Sequence, residues 1–288
     1  ENCSNCHEPH GTNNAPLLAS RQPYLCMQCH LTPMHGSNLF SGSKYELPVF
    51  DTSAANYDVS PDGRHLAFCF NPNPDRRGDQ DHNIVEMDIR SGKAKTLTAT
   101  STFSHFSPCY SPDGTRIGLL MANMRRSVDD DPKVGVIERK GGRLTQWSDW
   151  DRVINAPLRW AADGGSVYFG ADDCGRLSVW RLQAGKKTPT VVAPGGTVSE
   201  FDLKAGTLVF VRNNMSAAPK VFAAADDGSD VRPIETFNDE LMAKFRLGEV
   251  REFTIKGWNN EPVQMWAVYP PDFDPKKKWP LVHNIHGA

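Results

Sequence analysis

The architecture of this chain is first visible in Val59-Ser60-Pro61-Asp62-Gly63-Arg64-His65-Leu66-Ala67-Phe68, a turn sequence that leads into an apolar run. Similar stretches occur at residues 110–119 and 160–169, and a degenerate copy occurs at 201–210. Proline presets a turn, aspartate can bond the backbone ahead of it, and glycine takes a positive φ. The repeated stretch therefore predicts the turn of a β-hairpin, and we expect its polar residues to be structural.

The repeats have the spacing of propeller blades. Their turn glycines are Gly63, Gly114, Gly164 and Gly206, which lie 51, 50 and 42 residues apart, and a period of this size indicates a repeated supersecondary unit. A further strand is expected at a matching offset in each repeat, at residues 84–89, 134–138, 177–182 and 220–224. Each ends at a turn glycine and precedes a short fourth strand. We therefore expect a mainly β fold, with about four four-stranded blades of a partial β-propeller over residues 46–236.

Composition excludes several classes of partner. The 288 residues carry a formal net charge of −2, with 39% hydrophobic and 23% charged side chains, as is usual for globular proteins. This balance gives no electrostatic footprint for nucleic acid, and no apolar run approaches the roughly 18 residues of a membrane-spanning helix. The isolated Cys69, Cys109 and Cys174 are expected to be small buried hydrophobic residues.

Two motifs near the beginning of the sequence predict a segment with a function separate from that of the repeated sheets. Cys3-Ser4-Asn5-Cys6-His7 and Cys26-Met27-Gln28-Cys29-His30 both have the form Cys-x-x-Cys-His, the attachment signature of a c-type haem. In such a site the two thiols form thioethers with one porphyrin, and the adjoining histidine ligates the iron. The sequence thus predicts Cys3, Cys6, Cys26 and Cys29 as haem-attaching residues and His7 and His30 as iron ligands.

Two other interpretations fit the cysteines alone. Four cysteines in two pairs can hold a tetrahedral zinc ion, and Cys-x-x-Cys pairs also act as redox disulfides. A zinc ribbon has no need for a histidine directly after each second cysteine. A thioredoxin-like motif needs a strand-to-helix context that the nearby Pro9, Gly11, Pro16 and Pro23 do not favour. Haem is the interpretation that uses every residue of both motifs.

Residues 1–45 also resemble a pair of repeats from the periplasmic decahaem c-type cytochromes, of the kind associated with dimethyl sulfoxide reductases. Besides the two motifs, the resemblance includes His10 in Glu8-Pro9-His10-Gly11 and His35 in Met34-His35-Gly36. It implies two covalent haems c, His10 and His35 as distal iron ligands with unassigned pairing, and electron transfer to redox partner proteins such as other cytochromes or a reductase. It also implies a periplasmic location, because c-type haem is attached outside the cytoplasm.

The last fifty residues predict a short helix at 238–245, with Asn238 as a cap, and an antiparallel pair at 250–255 and 263–270. A buried strand is expected at 281–285, followed by His286-Gly287-Ala288. This order resembles the entry into the α/β-hydrolase domain of the prolyl oligopeptidase family, particularly its acylaminoacyl-peptidase and dipeptidyl-peptidase branches. Residues 46–288 share the resemblance, and residues 237–288 would be a linker helix and the truncated start of the catalytic domain.

The resemblance implies a serine peptidase acting on peptides, with His286 and Gly287 in the oxyanion-hole turn. In that family the Gly-x-Ser-x-Gly elbow, the acidic residue and the catalytic histidine come later in the sequence, and none of them occurs in these 288 residues. We therefore expect no hydrolysis by this chain.

The two resemblances meet near residues 43–46, which favours a fragment or a chimaera. The first functional hypothesis is haem binding and electron transfer. The second is a serine peptidase completed by a downstream catalytic domain, and the third is a propeller that only binds partners. Because each blade buries its faces against its neighbours, an incomplete propeller is also expected to self-associate through its open faces.

Overall fold

A computed structural model of the chain describes residues 57–70, 82–98, 102–123 and 131–283. The described chain forms four four-stranded antiparallel sheets, in each of which the strands follow one another in chain order. This confirms the predicted mainly β fold with about four blade-like sheets.

The sixteen strands of these sheets have the following bounds. The first sheet contains β1 (Tyr57–Val59), β2 (His65–Phe70), β3 (Asn83–Asp88) and β4 (Ala94–Thr96), and the second contains β5 (Ser104–Tyr110), β6 (Arg116–Ala122), β7 (Lys133–Glu138) and β8 (Arg143–Gln146). The third contains β9 (Ile154–Trp160), β10 (Ser166–Asp173), β11 (Arg176–Gln183) and β12 (Thr190–Ala193), and the fourth contains β13 (Thr197–Lys204), β14 (Thr207–Asn214), β15 (Ala217–Ala225) and β16 (Arg232–Pro233).

The repeated Ser-Pro-Asp-Gly sequence forms the turn between the first two strands of a sheet. In the second sheet the hydroxyl of Ser111 donates to Asp113 at 2.6 Å and accepts the Arg116 N–H at 2.9 Å, while Gly114 has φ +68°. The donors around Asp113, foremost Ser111 and then Thr115, lower the pKa of its carboxyl to about 2. Ser60 and Asp62 make the same contacts in the first sheet. The expected structural role of the turn is confirmed.

The chain divides into two compact units, and the first contains the described residues up to Ala171 together with Trp180–Thr190. Its strands place alternate side chains in the layers between sheets. Ala67 and Ile84 of the first sheet share a buried cluster with Ile117 and Leu119 of the second. The other face of the second sheet contributes Val136 to a cluster that it shares with the third. Successive sheets in this unit are thus packed face to face.

The second unit contains Asp172–Val179 and the chain from Val191 onward. After the fourth sheet come the short helix α1 (Asp239–Met242), β17 (Val250–Lys256), a 3-10 turn (Trp258–Asn260) and β18 (Pro262–Val268). Strands β17 and β18 form the predicted antiparallel pair.

Two predictions for this unit were wrong. Asn238 stands at the N-terminal cap position of α1, but its side chain donates to the carbonyl of Pro219 and makes no capping hydrogen bond. Residues 281–283 are not in a strand, and Leu281 and Val282 are 89% and 91% exposed. The predicted buried strand is therefore absent over these three residues, and its last two residues lie outside the described part of the chain.

Candidate functional site

The residues that the sequence predicts for haem attachment, iron ligation and the oxyanion-hole turn all lie outside the described residues. They are Cys3, Cys6, His7, His10, Cys26, Cys29, His30, His35, His286 and Gly287. Among the residues that the structure does describe, no group of three or more histidine, cysteine or acidic side chains has the arrangement of a metal site. No described helix is long and apolar enough to cross a membrane.

The described part of the first unit contains a different candidate, formed by the first strands of three successive sheets. Asp58 of β1, Cys109 of β5 and Arg159 of β9 each lie five residues before the turn glycine of their repeat. Each pairs with the residue four positions after that glycine, namely Ala67, Gly118 and Tyr168. The three side chains therefore occupy the same register position in three consecutive repeats.

Direct hydrogen bonds join these strands side by side. The Asp58 carboxylate accepts the backbone N–H of Tyr110 at 2.7 Å, which connects β1 to β5. The indole N–H of Trp160 donates to the carbonyl of Cys109 at 2.9 Å, which connects β9 to β5. Since a buried backbone or indole N–H must find an acceptor, these bonds fix the spacing of the three strands.

A cavity of about 280 Å³ lies among the three strands. Its lining consists of Tyr57, Asp58, Ser107, Pro108, Cys109, Pro157, Leu158 and Arg159. Both β5 and β9 are bulged beside it, because the register shifts between Phe106 and Cys109 on β5 and opposite Tyr168 to Gly170 on β9. Ser107, within the first bulge, is buried and has φ +54°. Bulges and positive φ at a residue other than glycine are concentrated near functional sites.

The charges around the cavity are of opposite sign. Burial raises the pKa of the Asp58 carboxyl, although the N–H groups of Tyr110 and Val59 and the positive charge of Arg159 all act to lower it. The Val59 N–H donates to Asp58 at 2.9 Å. Arg159 donates from Nη1 to the carbonyl of Leu158 at 3.1 Å. The third side chain at this register position is the thiol of Cys109. Burial is the largest cause that raises its pKa, to about 12, so this thiol is neutral and a poor nucleophile at neutral pH.

The sequence analysis missed Asp58 and Arg159 as site residues. The signal that identifies them is their constant distance from the turn glycine, which is visible once the repeats are aligned on Gly63, Gly114 and Gly164. The prediction for the cysteines was right for Cys69, which is buried, and wrong for Cys174, which is exposed in the β10–β11 turn. Cys174 has φ +51°, a conformation that a tight turn imposes.

Comparison with known proteins adds information on both parts of the chain. The family described as "Doubled CXXCH motif" matches residues 1–35. Dipeptidyl-peptidase 5 of Aspergillus fumigatus is 27% identical over 259 residues, which cover 82% of this chain and 35% of that protein. The chain thus spans about a third of the length of this curated relative.

Two solved structures share the fold. A Mycobacterium tuberculosis puromycin-hydrolyzing peptidase superposes with a TM-score of 0.54 at 13% identity, over 80% of this chain and 35% of that one. A structure from a study of two prolyl endopeptidases gives a TM-score of 0.52 at 13% identity, over 76% of this chain and 31% of that one. The sheets are similar to a peptidase propeller. The doubled motif suggests that the beginning of the chain binds haem covalently.

Proposed function

We propose that the chain joins a dihaem electron-transfer segment to a propeller that handles peptides. The observation that carries the first part is the paired Cys-x-x-Cys-His motif within residues 1–35. The donor set fits a c-type haem, since each motif supplies two thiols for thioethers and one imidazole for the iron. Bound haem supplies one-electron chemistry, and His10 and His35 are proposed as the second imidazole ligands, which leaves no open coordination position.

Covalent haem content tests this part directly. The chain is produced in a periplasm that has a c-type haem assembly system, and haem is measured as the pyridine haemochrome. We expect two haems per chain that resist extraction by acidic acetone. Replacing both Cys3 and Cys6 by serine should remove one of the two, while Cys69→Ser should remove none. Haem that is absent, or that extracts fully, would refute the assignment.

The second part of the proposal is based on the described sheets. Four consecutive four-stranded sheets precede the β17–β18 pair along the chain, and a relative similar in sequence and a solved structure similar in fold are both named as peptidases. We infer that the propeller admits or positions a peptide for a hydrolase domain. The serines of the repeated turns are not nucleophiles, because the hydroxyls of Ser60 and Ser111 are bound within the turns that they form. A peptidase also needs a base and a group that orients this base.

Hydrolysis by two versions of the protein tests this inference. The chain as given should neither cleave dipeptidyl p-nitroanilides nor react with a fluorophosphonate. The same chain extended by the coding sequence that follows it in its source should do both, and replacing the serine of a downstream Gly-x-Ser-x-Gly elbow by alanine should abolish both. Inactivity of the extended protein would favour the alternative of a propeller that only binds partners.

We further propose a periplasmic location, since covalent attachment of haem c takes place outside the cytoplasm. Osmotic-shock fractionation of the source cells should release the haem-stained protein with the periplasmic contents. Recovery with the cytoplasmic fraction, together with absence of haem, would contradict both the location and the cofactor.

A further inference from the structure

A second cavity, of about 280 Å³, lies beside the fourth sheet in the second unit. Its lining includes Arg212 of β14, Lys220 and Phe222 of β15, and Asp239 and Met242 of α1. Arg212 and Lys220 are directly opposite each other in the β14–β15 register. Because directly opposite residues of an antiparallel pair share one face of the sheet, two positively charged side chains project on the side of the cavity.

Arg212 is held in a defined orientation. Its Cζ lies 4.3 Å from the ring centroid of Phe222 and 5.5 Å from that of Phe210, and its Nη1 donates to the carbonyl of Pro194 at 2.7 Å. A guanidinium has five N–H donors in one plane, and stacking on a ring uses its face and leaves the donors at its edge. The hydrogen bond to Pro194 uses one of these donors.

The charge of Arg212 has no counter-ion in the part of the chain that the structure describes. Asp239 is the acidic residue of the lining, and its carboxylate pairs with Lys220. Burial lowers the pKa of Arg212, which is the effect of removing a charge from water without a compensating opposite charge. Lys220 adds to this cost, since like charges directly opposite on neighbouring strands are destabilising. An anion bound at Arg212 would reduce both costs.

The shape of the guanidinium and the wall of the cavity select the kind of anion. The planar fork of Arg212 matches the two oxygens of a carboxylate. A Cβ atom at Gly195 would lie 3.6 Å from Nη1, so this glycine leaves that side of the guanidinium uncovered. Phe222 and Met242 supply apolar surface in the same cavity, which an inorganic anion would not use.

The space available fits a small ligand. A volume of about 280 Å³ is close to the lower end of the range for small-molecule sites. An adjoining cavity of about 360 Å³ shares Gly195, Asn214 and Ser216 with it and is lined further by Met215 and Trp266. A ligand longer than the first cavity can therefore continue along apolar side chains into the second.

We propose that this cavity binds a carboxylate attached to a short apolar group, with the carboxylate at the edge of Arg212 and the apolar group against Phe222 and Met242. A free carboxylic acid and the C-terminal residue of a peptide both have this chemistry. The inference goes beyond the proposed function, and because the site requires neither haem nor a hydrolase domain, either can fail without the other.

Calorimetric titration of the full chain tests the proposal and distinguishes the two sources. The carboxylate probes are 3-phenylpropionate and glycyl-glycyl-L-phenylalanine, and each is compared with its uncharged amide. We expect saturable binding of at least one carboxylate, and the tighter of the two identifies the source. Its amide should bind about tenfold or more weakly, since the amide loses charge-assisted hydrogen bonds. Inorganic phosphate, which has no apolar group, should bind more weakly than the preferred carboxylate.

Variants locate the site on the fourth sheet. Arg212→Gln should weaken binding of the preferred carboxylate about tenfold or more, for the same reason. It should also reduce the difference between the carboxylate and its amide, which a merely structural role for Arg212 would leave unchanged. The matched control Lys204→Gln removes the same charge from an exposed position of the same sheet outside the cavity, and should bind as the parent does.

Four results would overturn the proposal. They are no saturable binding of either carboxylate at millimolar concentration to folded parent protein, equal binding of a carboxylate and its amide, equal binding of phosphate, and full binding by folded Arg212→Gln protein. The comparison of carboxylate, amide and phosphate uses only the parent protein, so it decides the matter even if the Arg212 variant fails to fold.

Discussion

The indole N–H of Trp160 donates to the carbonyl oxygen of Cys109 at 2.9 Å, so a side chain of the third sheet completes the hydrogen bonding of the second. The ring lies directly against Gly118, where a Cβ atom would approach the indole nitrogen to 3.2 Å. Arg116 stacks on the same ring, with its Cζ 4.9 Å from the centroid. The close packing of the second sheet against the third therefore requires glycine at position 118 as well as the aromatic ring of Trp160.

Gly118→Ala should therefore destabilise the protein by about 1–3 kcal/mol, because an added methyl group overpacks a filled layer. In a Trp160→Phe background the cost of the same change should be smaller, since the phenyl ring leaves room near Gly118. Urea unfolding of the four proteins in this double-mutant cycle measures the coupling. Strictly additive effects would show that the close approach has no energetic consequence.

A second link joins the first and second sheets through Glu86. This carboxylate pairs with Arg139 at 2.7 Å, and the side chains are only 18% and 23% exposed. It also accepts the hydroxyl of Tyr110 at 2.8 Å. Glu86→Gln should cost about 1–3 kcal/mol of stability, as for a partly buried hydrogen bond to a charged group.

The matched control for Glu86 is Glu249→Gln, which removes the carboxylate of an exposed ion pair with Arg251 at 2.6 Å. Exposed pairs contribute about 0–1 kcal/mol, so this change should be close to neutral. Equal destabilisation by the two substitutions in chemical denaturation would contradict the role of Glu86 as a link between sheets.

His105 predicts a pH dependence of stability. It is fully buried, and this burial lowers its pKa to about 4, although the backbone of His82 acts to raise it. Because the unfolded chain binds this proton more readily, the stability that His105 contributes is present above its ordinary pKa of about 6.5. This stability falls as the pH drops from about 6.5 towards 4, by up to about 3 kcal/mol, and is constant below that.

The measurement is the unfolding free energy against pH for the parent, for His105→Leu and for His283→Gln. His105→Leu should show a shallower decline between about pH 6.5 and 4, while the exposed His283 serves as the control. Parallel curves for all three proteins would exclude His105 as a major source of acid sensitivity.

Self-association is expected at the first sheet. Its Ala67 and Ile84 pack towards the second sheet, while Phe68 and Val85 belong to a separate cluster that includes the partly buried Met87. Phe68 and Val85 are fully buried, so the apolar surface that remains accessible on this side consists of partly buried side chains such as Met87. Exposed apolar surface is a frequent contact between chains. Sedimentation velocity at micromolar concentration should detect oligomers, and Met87→Glu should reduce them. A monodisperse monomer that melts cooperatively would contradict this prediction.

The sequence predicted the sheets better than it predicted the contacts between them. The turn glycines and their alternating flanks give local signals, and therefore Gly63, Gly114 and Gly164 located three hairpins correctly. The cavity lined by Asp58 and Arg159 was missed because these two residues are about a hundred residues apart in sequence. They line the same cavity only once the sheets are packed together. The strand expected at 281–285 depended on an apolar run, and such a run does not show which neighbour would pair with it.

The equivalent placement of Asp58, Cys109 and Arg159 has an evolutionary consequence. Each of the first three repeats contributes a chemically different side chain to the cavity lining at this register position, which is not part of its turn. A single codon change in one repeat can therefore alter the charge of the site while the turn that folds the repeat stays intact. The charge of this cavity can therefore change by independent substitutions, one repeat at a time, without first requiring a new fold.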